Sequence, residues 1–85
     1  MRKEMEVRLA GGLEARPIAV LVQVASQYES SIYLEADGKR VNAKSIMGMM
    51  TMTLKAGEKL VVEATGSDEA VAIEGIEKYI SGQEA

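Results

Sequence analysis

The chain has 85 residues, 47% hydrophobic and 27% charged, with 10 basic and 13 acidic side chains for a net charge of −3. That is the size and make-up of one globular domain spanning residues 1–85, with enough apolar surface to offset chain entropy. The acidic excess argues against direct nucleic-acid binding, which needs a dense basic face.

There is no Cys and no His. Disulfides, zinc thiolates, thiol nucleophiles and the commonest general base and metal ligand are therefore excluded. Met-Arg-Lys-Glu-Met-Glu at the start is not followed by an apolar stretch, and no apolar run approaches a membrane span. No signal peptide and no membrane partner are expected, and a cytoplasmic location is the default.

In chain order, Met5-Glu6-Val7-Arg8-Leu9 alternates with period two and predicts a half-buried strand, broken by Gly11-Gly12. Pro17 suits a first helical turn. Ile18, Leu21, Val22 and Ala25 then give a buried face to a helix over 16–27, with Val20 and Val24 on another, exposed face. Residues 31–36 alternate again. Asp37-Gly38 signals a two-residue hairpin turn returning through 39–42. Ser45 is the expected N-cap of a short helix carrying Ile46, Met47, Met49 and Met50. A turn at 55–58 precedes a strand with Leu60, Val62 and Ala64 inward. Ser67 or Asp68 caps a last helix whose buried face is Val71 or Ala72, Ile73, Ile76 and Ile80, and Gly75 weakens it. The tail from Ser81 is expected to fray. One apolar face per strand implies an α+β two-layer domain, a four-stranded antiparallel sheet with the helices on one side.

Three places can carry chemistry. At Gly11-Gly12-Leu13-Glu14-Ala15-Arg16-Pro17 a carboxylate and a guanidinium meet a helix start, which either binds an anion or merely places Glu14 well in the helix dipole. Ser45 is an N-cap, and a phosphorylation site in its functional reading. A phosphate there is tolerated by the helix dipole and can pair with Lys44, Lys39, Arg40 or Arg16. Of Met47, Met49, Met50 and Met52, one short helix cannot bury all four, so Met47 and Met50 are expected exposed beside Ile46, as core filler turned docking surface. A thioether metal site without Cys or His is disfavoured. No nucleophile has a candidate base and no phosphate-binding glycine loop is present, so no catalytic residue, cofactor or metal is expected.

Gly12-Leu13-Glu14-Ala15-Arg16-Pro17 resembles the active-site motif of the HPr family, phosphocarriers of the bacterial sugar phosphotransferase system, with Glu14 where that family has histidine. Asp37-Gly38-Lys39-Arg40-Val41-Asn42-Ala43-Lys44-Ser45-Ile46-Met47-Gly48 resembles the family's regulatory-serine motif. The resemblance covers nearly the whole chain and implies the HPr-like open-faced sandwich. It is nearest to the histidine-lacking regulatory branch, Crh (catabolite repression HPr). It implies phosphorylation of Ser45 by HPr kinase/phosphorylase and a corepressor role with catabolite control protein A, without phosphocarrier activity. Partner contacts would come from Arg16, Ala19, Val20, Lys44, Ile46, Met47 and Met50. A phosphocarrier with its histidine replaced, by nature or by engineering, and a direct modulator of a metabolic enzyme are the alternatives. The Gly-Gly hinge after the first strand permits strand exchange, and with it a homodimer.

Overall fold

The computed structural model describes residues 1–9, 15–52 and 54–82. Its elements are β1 (Arg2–Glu6), α1 (Ala15–Ser26), β2 (Ser31–Ala36), β3 (Lys39–Asn42), α2 (Ile46–Met49), β4 (Lys59–Thr65) and α3 (Glu69–Ile80). The four strands form one sheet in the order β1-β4-β2-β3, every neighbouring pair antiparallel. The expected α+β two-layer architecture is thus observed.

The alternation of each strand sorts its side chains between two faces. Met5, Ile32, Leu34, Leu60, Val62 and Ala64 are buried under the helices. They meet Ile18, Leu21 and Ala25 of α1 and Ala72, Ile73, Ile76 and Ile80 of α3 in one continuous core. Asp37 and Gly38 both take positive φ (52° and 74°), the paired left-handed geometry that closes a two-residue hairpin with the right twist.

The other sheet face is charged. Arg2 and Arg40 each bridge Glu35 and Glu63: Arg2 at 2.7 and 3.2 Å, Arg40 at 3.1 and 2.7 Å. The Arg40 guanidinium also lies 4.2 Å from the centre of the Tyr33 ring. These pairs tie β1, β4, β2 and β3 together across the sheet.

Several expectations need correction. The first paired strand is Arg2–Glu6 and not Met5–Leu9, although Met5 and Val7 do point inward. Its early residues are charged and carry no apolar signal; backbone pairing with β4 and the Arg2 ion pairs hold them. Beyond Glu6, Val7 still exchanges backbone bonds with the turn at 57–58, donating to Glu58 at 2.9 Å and accepting from Gly57 at 2.7 Å. Val24 is only 9% exposed and belongs to the core. Helix α1 packs on both α3 and α2, so its apolar stripe is wider than a one-sided helix needs. Of the two residues offered for the buried face of α3, Ala72 is the buried one and Val71 is exposed, as one of the alternatives had it. Asp68 occupies the N-cap position of α3 without capping it through its side chain. Its carboxylate accepts instead from the N–H groups of Glu29 (2.9 Å) and Ser30 (3.0 Å) and from the Ser30 hydroxyl, clamping the α1–β2 loop. Of the tail expected to fray, Ser81 and Gly82 are held, their N–H groups donating to the carbonyls of Glu77 (2.8 Å) and Tyr79 (3.1 Å), and residues 83–85 lie outside the described residues. Among the described residues no helix is long and apolar enough to cross a membrane.

Candidate functional site

Helix α2 spans a single turn, from Ile46 to Met49. A helix this short is held by its flanks rather than by its own cooperativity. Asn42 provides the N-terminal flank: its side-chain oxygen accepts from the Lys44 N–H at 2.8 Å and its carbonyl from the Ser45 N–H at 3.0 Å. Ser45 then sits in extended geometry (φ −102°, ψ 109°), and its Oγ accepts from the Gly48 N–H at 3.3 Å. The expected cap is present. Its hydrogen bond is long, and the residue is partly exposed.

Met49 and Met52 anchor this segment in the core. The opposite side is open: Ile46 is 45% exposed, Met47 82% and Met50 50%. Val20 of the neighbouring α1 is 37% exposed, and Arg16 and Ala19 are also exposed. The two helices pack directly on one another. The exposed methionine pair expected from the sequence is therefore found.

The cations expected around Ser45 are only partly available. Lys44 Nζ donates to the Tyr28 carbonyl at 2.5 Å, and Lys39 Nζ reaches the Thr51 carbonyl at 3.4 Å. Arg40 is excluded, because strand alternation turns it to the charged sheet face, onto Glu35 and Glu63. Arg16 makes no ion pair with any described residue. Glu14, Gly11 and Gly12 lie outside the described residues.

Two features went unread in the sequence. Gly48 donates the hydrogen bond to Ser45, a partner signalled only by its place three residues on. Tyr28 receives the Lys44 ammonium through its carbonyl, a contact across 16 residues that no local pattern announces.

The profile described as "PTS HPr component phosphorylation site" matches residues 1–82. HPr-like protein Crh of Bacillus subtilis is 45% identical over 80 residues, 94% of each chain. Crh of Halalkalibacterium halodurans is 44% identical over 80 residues, covering 94% of this chain and 95% of the relative. Among solved structures, the phosphocarrier protein HPr from Bacillus anthracis superposes with a TM-score of 0.90 at 41% identity, covering 94% of this chain and 95% of that one. A crystal structure of B. subtilis Crh, in which a swapped domain makes a dimer, gives 0.76 at 45% identity over 94% and 92%. A chain with this sheet order, this serine-capped turn and these relatives belongs to the HPr family.

Proposed function

We propose that the chain is a non-enzymatic regulator of the Crh type. Ser45 is phosphorylated by an ATP-dependent HPr kinase/phosphorylase, and the phosphorylated form acts as corepressor of catabolite control protein A in the cytoplasm. The observation that carries this reading is the partly exposed Ser45, its Oγ held by a 3.3 Å hydrogen bond from the Gly48 N–H, beside the exposed Ile46, Met47 and Met50.

The chemistry is a phosphoryl transfer. Ser45 Oγ forms the new P–O bond, the bond between the γ-phosphorus and ADP breaks, and the hydroxyl proton passes to a base on the kinase. The product carries about −1.5 to −2 charges beside apolar surface. A partner with a basic pocket next to an apolar groove distinguishes the two forms. Arg16, Ala19 and Val20 from α1, and Lys44 with Ile46, Met47 and Met50, supply the contacts.

Carrier activity is not part of the proposal. The family's carrier reaction uses an imidazole nitrogen, and no histidine exists among the 85 residues; Glu14 stands at that position. The relatives named HPr-like protein Crh, at 44–45% identity, support the regulatory reading. The swapped dimer of B. subtilis Crh supports a homodimer formed by exchange of β1, since the contacts of Met1, Arg2 and Lys3 with Glu69, Glu35, Glu63 and Glu77 can all be made to a second copy.

The test is regulator affinity with and without prior kinase and ATP treatment. Treatment should tighten binding at least about tenfold, about 1.4 kcal/mol, and Ser45→Ala should abolish the gain. Equal affinity of treated and untreated protein would overturn the reading.

A further inference from the structure

We propose that Met47 and Met50 form an oxidation-sensitive modification site that switches off docking at this surface. The inference rests on the docking reading above and adds a second, redox input to it.

The methionines of one short segment fall into two classes. Met47 and Met50 are open to solvent, whereas Met49 and Met52 are buried, as is Met5 in β1. The chain has no cysteine, so thioethers are its only sulfur chemistry and no thiol competes for an oxidant. Thioether oxidation follows access, because the peroxide oxygen must reach the sulfur.

The reaction needs a hydroperoxide as its co-reactant. The sulfur lone pair attacks the distal peroxide oxygen, the O–O bond breaks, and a sulfoxide S–O bond forms. The sulfur is oxidised, the peroxide is reduced, and water or an alcohol leaves carrying the proton. The change converts a flexible apolar side chain into a polar one. Two such groups flanking Gly48 and Met49 would leave Ile46 and Val20 as the exposed apolar residues of this surface. An apolar groove would then have to desolvate two sulfoxide oxygens to close over it. Since the buried Met49 and Met52 hold α2 in place, the fold is untouched. Methionine sulfoxide reductases reverse the change.

The experiment treats the Ser45-phosphorylated full chain with dilute hydrogen peroxide and follows each methionine by peptide mass spectrometry. Met47 and Met50 should gain oxygen at least about tenfold faster than Met5, Met49 and Met52, with exposed Met1 as the fast control. Affinity for the regulator should fall at least about tenfold and return after reductase treatment. In Met47→Leu/Met50→Leu the affinity, whatever its starting value, should not respond to peroxide. Comparable oxidation of buried and exposed methionines, or undiminished affinity after selective oxidation, would overturn the inference. Retention on a phenyl matrix separates it from the docking reading. If the unoxidised phosphoprotein fails to bind the regulator, the docking reading fails, and the matrix decides the rest. Retention that drops on oxidation upholds the switch of surface character; unchanged retention overturns it.

Discussion

The ring of Tyr28 lies against the bare backbone of Gly75, so close that a Cβ on Gly75 would stand 2.9 Å from the ring carbon bearing the hydroxyl and nearer still to the hydroxyl oxygen. A glycine that weakens α3 by helix propensity is thus the notch that lets the α1–β2 loop pack down. Gly75→Ala, which on propensity alone would stabilise by about 1 kcal/mol, should instead lower stability by about 1 to 2 kcal/mol through overpacking. Urea denaturation measures it, and Tyr28→Ala in the same background should make the alanine at 75 neutral or favourable.

Acid should destabilise the protein through three carboxylates. The guanidinium hydrogen bonds of Arg40 and then Arg2 hold Glu63 below the ordinary carboxylate range. The Ser30 hydroxyl, then the Glu29 N–H, do the same for Asp68. The Gly66 N–H, then the N-terminal ammonium, do so for Glu69. A carboxylate whose folded pKa lies below its unfolded value contributes stability that is complete at neutral pH and is lost as pH falls through the depressed value. The urea midpoint should therefore fall between about pH 5 and pH 2. Asp68→Asn should be less stable than the parent at neutral pH, and the gap should close in acid.

Lys44 links the candidate site to the loop beneath it, its ammonium on the Tyr28 carbonyl. Lys44→Met keeps the aliphatic stem and deletes that bond. A loss of about 1 kcal/mol in stability is expected, together with weaker binding of the phosphorylated protein to the regulator. Thermal denaturation and binding titration read the two effects.

Carrier chemistry gives a sharp negative expectation. Incubation with enzyme I and labelled phosphoenolpyruvate should leave no stable label that passes on to a sugar-specific component, because the chain has no imidazole nitrogen to accept it.

Much of this molecule was readable before its structure. The Asp37-Gly38 hairpin, the inward faces of β2 and β4, the Ser45 cap and the split of the methionines all follow from local rules of period, turn and cap, and all are observed. What escaped depends on contacts between segments distant in the chain. Arg2, Lys3 and Glu4 form a strand because β4 offers them an edge, not because of any apolar pattern. Val24 is buried because α1 has two helical neighbours. Asp68 abandons its own helix because Ser30, 38 residues earlier, arrives within reach. At the site, the Ser45 cap was legible locally, and the turn of Arg40 to the far sheet face follows from the alternation of β3, while the reach of Lys44 to Tyr28 was not legible.

The central claim is that the Ser45 hydroxyl is a chemical switch. Incubation of the purified chain with HPr kinase/phosphorylase and ATP, followed by peptide mass spectrometry, tests it most directly. A single phosphate located on Ser45, and none on Ser45→Ala, is the expected result. An unmodified Ser45, or a phosphate placed on another residue, would contradict it.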